Sequence, residues 1–128
     1  MSSADAAPVP EGAKCKLAVI RGMRVGKTYG INPGQTFLGR TGEEPVDVNM
    51  DEQERPGQVF AANRHACIYF ENHSLAIEDL GTSFGTFVNR VKLPPNQRHP
   101  LKADDIIQIG SVQLKVQVKA KQRTGVQK

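Results

Sequence analysis

Ala61-Ala62-Asn63-Arg64-His65-Ala66-Cys67-Ile68 runs from small and polar residues into an apolar alternation that Tyr69 and Phe70 continue. Ala66, Ile68 and Phe70 fall on one face of a strand expected over Arg64 to Phe70. Two other segments have the same form: Phe37-Leu38-Gly39-Arg40 before it, and Asp79-Leu80-Gly81-Thr82-Ser83-Phe84-Gly85-Thr86-Phe87-Val88-Asn89 after it. Short apolar runs that end in, or begin from, small polar residues are what strands look like when their loops gather at one edge of a sandwich. On this reading the three loops form a small anion-reading surface centred on Arg40.

Outward from this centre the chain continues to read as strands. Leu17 and Val19 alternate with Ala18 and Ile20, so the first strand has both faces partly covered. Thr28 to Ile31 and Gln35 to Gly39 follow, separated by Pro33-Gly34 in the order a type II turn favours. Thr41 to Phe60 is expected to be mostly loop, with Val46-Asp47-Val48 its short strand, and a connection of that length in a compact domain is usually functional or mobile. Glu71-Asn72-His73 turns a hairpin that returns over Ser74 to Leu80. Thr86 to Val88 and Val91 to Leu93 form a smaller hairpin around Asn89-Arg90. Arginine is poorly suited to the second position of a two-residue turn, which argues for a longer turn there. Ile106, Ile107 and Ile109 precede Gly110-Ser111, and Val112, Leu114, Val116 and Val118 then alternate strictly. No segment sustains a 3.6-residue period, and the 12 Gly and 8 Pro interrupt the chain every few residues. The fold class is all-β, a two-sheet sandwich.

Composition sets the outer bounds. A chain of 128 residues with 38% hydrophobic and 23% charged residues suits one soluble domain large enough for a single core. No apolar run approaches ~20 residues, so no membrane span is expected. Met1 to Pro10 lacks the basic and apolar regions of a secretory signal. Cys15 and Cys67 are isolated, which favours a reduced, cytoplasmic setting. The net charge of +4 derives from an acid-free C-terminal stretch carrying Lys115, Lys119, Lys121, Arg123 and Lys128. With no interleaved aromatics, this is a solvated tail rather than a nucleic-acid surface. Residues 1–13 are expected to be disordered, 14–119 to form the domain, and 120–128 to be a basic tail.

At this point the chain resembles the forkhead-associated (FHA) domain over roughly Lys14 to Lys119. The resemblance rests on Gly39-Arg40, Arg64-His65-Ala66, Asp79-Leu80-Gly81, Gly85-Thr86-Phe87-Val88-Asn89, and the pattern Leu-x-x-x-Asp-x-Ile-x-Ile-Gly from Leu101 to Gly110. It implies an FHA/SMAD-type sandwich of about eleven strands whose loops bind phosphothreonine peptides. Arg40 then takes the phosphate-donating position, where its guanidinium fork is matched to phosphate oxygens. Asn63 and Ser83 are secondary contacts, and Arg64 and Thr82 beside them complete the implied peptide-binding set. Gly39, His65, Gly85 and Asn89 hold the loops. The implied partner is a phosphorylated protein or a Ser/Thr kinase, with no cofactor.

Two positions depart from the family pattern. Ala62 stands where a serine hydroxyl would meet phosphate, and Phe84 where an asparagine would hold the peptide backbone. Each lost hydrogen bond is worth about 0.5–1.5 kcal/mol, so losing both costs on the order of ten- to a hundredfold in affinity. The alternative is a degenerate scaffold that docks a partner without phosphate, using Phe84, Phe87 and their neighbours as an apolar anchor.

Enzyme chemistry finds little support. Cys67 lies two residues after His65, but no orienting third residue is recognisable and a small buried cysteine is the commoner explanation. Gly26-Lys27-Thr28 fails as a phosphate-binding loop, because Gly22 is misplaced by one residue and Tyr29 to Gly34 is turn-rich rather than the start of a helix. His and Cys show no metal-ligand spacing. Glu43, Glu44, Asp47, Asp51, Glu52 and Glu54 lack the alternation of a calcium loop and read as a solvated segment.

Overall fold

Val112, Leu114 and Val116 are all buried, and Gln113, Lys115 and Gln117 between them are not. The strict alternation of the last strand therefore sets one face of a sheet against a core and the other towards solvent. The computed structural model describes residues 9–120. Its strands in chain order are β1 (Lys14–Arg21), β2 (Thr28–Gly30), β3 (Gly34–Gly39), β4 (Val48–Asn49), β5 (Ala66–Glu71), β6 (Ser74–Asp79), β7 (Phe87–Val88), β8 (Val91–Lys92), β9 (His99–Leu101), β10 (Ile106–Ile109) and β11 (Val112–Lys119), with a 3-10 turn at Met50–Glu52. They form a six-stranded sheet in the order β2-β1-β11-β10-β7-β8 and a five-stranded sheet in the order β4-β3-β5-β6-β9. All pairings are antiparallel except β3 with β4. The all-β sandwich of eleven strands is as expected.

The core lies between the sheets. Leu17 and Val19 of β1, Leu114 and Val116 of β11 and Ile107 and Ile109 of β10 face Leu38 of β3, Ile68 of β5 and Leu75 and Ile77 of β6 in one cluster. Each such side chain contributes about 1.5–3 kcal/mol by leaving water. Leu38 sits opposite Ala66, and Ala66 opposite Asp79. The end of β3, the start of β5 and the end of β6 therefore lie at one end of the second sheet, where Arg40, His65 and the Thr82–Gly85 segment emerge.

Four details depart from expectation. Val9 is buried, and its N–H donates to the His73 carbonyl at 2.6 Å, so the chain at Val9 is docked on the β5–β6 hairpin rather than disordered. The remainder of the expected N-terminal tail, and residues 121–128 of the C-terminal one, lie outside the described residues. The short strand of the 41–60 connection is Val48–Asn49, and the buried Met50 roots the 3-10 turn after it. β9 was not anticipated, because Pro94-Pro95 and Pro100 mask a segment that pairs at the sheet edge, where proline is tolerated. Finally, Val88 pairs with Val91, and Asn89 and Arg90 take φ values of 50° and 73°. The turn is therefore two residues long, and Arg90 occupies a left-handed position that glycine fills at lower cost. Arg90→Gly is expected to stabilise the domain by about 0.5–1 kcal/mol in urea denaturation.

Candidate functional site

Gly39 is required by proximity. A Cβ there would lie 1.9 Å from the Asn63 carbonyl oxygen, because β3 ends tightly against the segment leading into β5. Across this contact the Arg40 N–H donates to the Ala62 carbonyl at 2.9 Å. Asn63 completes the junction: its Nδ2 donates to the Arg40 and Glu44 carbonyls at 2.8 and 3.0 Å, and its Oδ1 accepts from the Glu44 N–H at 3.0 Å. Asn63 therefore uses its amide to pin the loop that carries Arg40, not to face a ligand.

His65 is buried at the centre. The Ala62 N–H donates to its Nδ1 at 3.0 Å, which places the ring proton on Nε2, and Nε2 donates to the Gly85 carbonyl at 2.8 Å. The ring thus ties the loop before β5 to the loop before β7. Below it, Asp79 is only 2% exposed and fully engaged. Its Oδ1 accepts from the hydroxyls of Thr82 and Thr86, both at 2.7 Å, and its Oδ2 from the N–H groups of Gly81 and Thr82, both at 3.1 Å. Burial pushes this carboxyl up, but the Thr82 and Thr86 donors outweigh burial and hold it below the usual aspartate range. Thr82 Oγ1 also accepts from the Gly85 N–H at 3.0 Å. Thr82 is accordingly internal bracing, which corrects its assignment to the peptide-binding set. Gly85 has a φ of 82°, a turn conformation glycine adopts without strain.

Arg64 also moves out of that set. Its guanidinium stacks on the Phe37 ring at 3.8 Å, donates from Nε to the Pro45 carbonyl at 2.9 Å, and has Nη1 3.7 Å from the Glu44 carboxylate. Asn89 lies at the other end of the sandwich. β7 runs away from Gly85, and Asn89 at its far end bonds to Asp105 and to the N–H of Ile106 at 3.0 and 2.9 Å.

Arg40 and Ser83 remain. Arg40 has a side chain 40% exposed, with Nε donating to Asp51 Oδ1 at 2.6 Å. It is not the free fork expected from sequence. Its two terminal nitrogens, however, have no hydrogen-bond partner among the described residues. Asp51 also accepts from the Thr41 hydroxyl and from the Thr41 N–H at 3.0 Å. The Thr41 hydroxyl, with Arg40 assisting, holds its carboxyl below the usual range despite burial. Ser83 is exposed and its hydroxyl has no partner among the described residues. Ala62 is exposed beside them.

Phe84 is 54% exposed and meets Phe60, 36% exposed, edge to face with ring centroids 5.0 Å apart. Phe60, not Phe87, is thus its aromatic neighbour; Phe87 is half-buried on β7. Asp51 and Phe60 both come from the 41–60 connection and were not identified from sequence. Neither has a local signal, since the carboxylate lies eleven residues from its arginine and the ring is the only aromatic one between Phe37 and Tyr69 in the sequence.

Cys67 and His65 do not form a reactive pair. Both ring nitrogens are bonded elsewhere, and burial pushes the Cys67 thiol up, away from thiolate. Among the described residues no group of three or more His, Cys, Asp and Glu is placed to hold a metal ion, and no helix is long and apolar enough to cross a membrane.

The two-sheet sandwich thus presents three braced loops at one end. The FHA domain family model matches residues 36–110. The oxoglutarate dehydrogenase inhibitor of Corynebacterium efficiens is 31% identical over 120 residues, covering 89% of this chain and 77% of that protein. The probable E3 ubiquitin-protein ligase dma1 of Schizosaccharomyces pombe is 41% identical over 54 residues, which are 39% of this chain and 20% of the ligase. A solved FHA domain, studied for phosphothreonine-dependent interactions, superposes with a TM-score of 0.65 at 22% identity, covering 84% of this chain and 99% of that one. The chain belongs to the FHA domain family, a family of binding modules.

The brace carries a pH signature. The folded Asp79 has a depressed pKa, so its stabilisation is fully present above the unfolded-state value of about 3.9 and is lost as pH falls through the folded one. Denaturation titrations should show stability falling on acidification below about pH 4. In Asp79→Asn this acid limb should flatten. The same change should cost roughly 2–4 kcal/mol at pH 7, because an amide nitrogen cannot accept from Gly81 and Thr82.

Proposed function

We propose that this domain recognises a phosphothreonine segment of another protein within Ser/Thr-kinase signalling, with Arg40 as principal phosphate donor and Ser83 as second contact. The observation that carries this reading is that Arg40's two terminal nitrogens and the exposed Ser83 hydroxyl have no hydrogen-bond partner among the described residues, on loops that His65 holds together. Two parallel N–H donors suit phosphate oxygens, and the rigid loops reduce the entropy lost on binding.

The site is weakened in two ways. Ala62 brings no hydroxyl. Asp51 places a negative charge against the guanidinium, so an incoming dianion meets a nearly neutral pair. In water, a carboxylate about 6 Å from a dianion repels it by roughly 1.4 kcal/mol, about a tenfold loss of affinity.

Titration with phosphothreonine peptides and their unphosphorylated twins, followed by loop chemical shifts, tests the reading. Phosphorylated peptides should shift Arg40 and Ser83, and Arg40→Ala should abolish the response. Equal binding of the two series would transfer the function to phosphate-independent docking, the second reading, which the exposed Phe60–Phe84 pair favours. A further pair of variants measures the weakening. Ala62→Ser should tighten phosphopeptide binding about three- to tenfold by adding one hydrogen bond. Asp51→Asn should tighten it by about the same factor at low salt and by less at high salt, as screening removes the repulsion.

A further inference from the structure

The outer face of the six-stranded sheet carries charge of one sign. Cys15, Leu17 and Val19 of β1 are buried, so Lys14, Lys16 and Ala18 point away from the core, and the same alternation sets Lys115, Gln117 and Lys119 outward on β11. Register places Lys14 opposite Lys119, Lys16 opposite Gln117 and Ala18 opposite Lys115. The residues in line with them, Thr28 and Gly30 on β2 and Ile106 and Gln108 on β10, add no carboxylate. At the margin Asp104, in the turn before β10, lies 3.7 Å from Lys115. Lys14, Lys16 and Lys119 form no ion pair among the described residues. Beyond Lys119 the sequence adds Lys121, Arg123 and Lys128 and no acidic residue. Like charges directly opposite on a ladder weaken a sheet, and no carboxylate among the described residues offsets the Lys14–Lys119 pair.

Lys14 and Lys16 line two hollows. One, of about 310 Å³, they share with Gln117, Lys119 and Asp104. The other, of about 440 Å³, is bounded by Cys15, Ile31, Pro33 and Phe70, where the chain leaves the edge strand β2. Pro33 is exposed and Phe70 half-buried, so this apolar recess is open to solvent beside the two lysines. The surface is remote from Arg40. The turn at Gly110, which touches Phe60, leads into the opposite end of β11, an eight-residue strand that spans roughly 24 Å.

Charge complementarity selects the occupant. A second copy of the chain is a poor fit, because it also carries a net charge of +4 and its acidic connection is engaged internally. Asp47 accepts from the Phe37 N–H, Asp51 from Arg40, Glu52 from Lys27 and Tyr29, and Glu54 from the Phe60 N–H. Nucleic acid is also disfavoured, since no aromatic ring stands among the lysines for a base to stack on. A polypeptide supplies both carboxylates and an apolar side chain of the size of the recess. Alternate residues of an extended chain lie about 6.8 Å apart, which is also the spacing of Lys14 and Lys16 along β1.

We propose that this end of the outer sheet face docks an acidic, unphosphorylated segment of a partner protein. Its carboxylates meet Lys14, Lys16 and Lys119, and one large apolar side chain enters the recess between Ile31, Pro33 and Phe70. The surface is separate from the phosphothreonine reading and does not depend on it.

The test titrates the full chain with a peptide of alternating glutamate and serine carrying one central leucine, following amide shifts. The Lys14, Lys16, Lys119 and Ile31 signals should move while those of Arg40 and Ser83 stay. Affinity should fall severalfold between about 0.02 and 0.2 M salt, as screening removes the attraction. Lys14→Gln, Lys16→Gln and Lys119→Gln combined should weaken binding about tenfold and leave the response to phosphothreonine peptides as in the parent chain. Exchanging the central leucine for alanine should cost about three- to tenfold. The proposal is overturned if the peptide moves the Arg40 loops instead, if the triple variant binds as well as the parent, or if leucine and alanine bind equally. Tighter binding of a single-stranded thymidine oligonucleotide, or of phosphatidylserine vesicles, would reassign the face to nucleic acid or lipid. No binding by any of these would leave it a solvated surface.

Discussion

Four hydrogen bonds to backbone groups converge on His65, and they join the loops at the functional end of the sandwich. Its N–H reaches the Leu38 carbonyl at the end of β3, its carbonyl takes the Leu80 N–H beyond β6, and its ring spans from Ala62 to Gly85. The neutral imidazole suits this role because one nitrogen accepts while the other donates, so two backbone groups of opposite polarity are satisfied by a single buried ring. A charged or flexible side chain would leave one of them unpaired, at a cost of about 1–3 kcal/mol. Asp79 extends the same logic downward, collecting two hydroxyls and two amides. Loops built this way are stiff, and their stiffness depends on donors and acceptors that no ligand has to supply.

That division of labour explains which polar residues face outward. Asn63, Thr82 and Arg64 are polar and near the loops, yet each is consumed in holding the protein to itself. Arg40 is divided: its Nε belongs to Asp51 and its remaining donors point elsewhere. Pinning a guanidinium by one nitrogen orients the others, and the same carboxylate cancels much of the charge that would draw an anion in. Orientation and attraction therefore oppose each other at this residue.

The architecture was legible in the sequence because alternation fixes which face of a strand is buried, as in Val112 to Val118 and Leu75 to Ile77, while the unbroken apolar run Ala66 to Phe70 marks a strand covered on both faces. Val9, β9 and the tight Asn89–Arg90 turn were not, since each is decided by tertiary contact: a carbonyl on a distant hairpin, a vacant sheet edge, and a register set by Val88 and Val91. The site divides along the same line. Arg40, His65 and Gly39 could be placed because they stand in local patterns beside strand ends. That Asn63 and Thr82 turn inward could not be foreseen, because a polar side chain's type does not say whether its partner is a backbone group or a ligand. Asp51 and Phe60 are brought in by a connection whose course is set by Met50, buried in the core, and by Glu54, whose carboxylate holds the Phe60 and Ala61 N–H groups.

The 41–60 connection thus acts on the binding face twice, and its two effects have opposite sign. Asp51 lies one residue after the buried Met50 and Phe60 six residues after the buried Glu54, so a single stretch of chain lowers the attraction for phosphate and raises an apolar ring beside Phe84. Electrostatic attraction is long-ranged and falls with salt, whereas apolar contact is short-ranged and depends on shape. Neither change disturbs the framework, because Glu54 and Asp51 are each satisfied by neighbours within the connection or by Arg40 itself. The polar and apolar character of this end of the sandwich is therefore set by one loop, separately from the imidazole and the buried carboxylate that brace it.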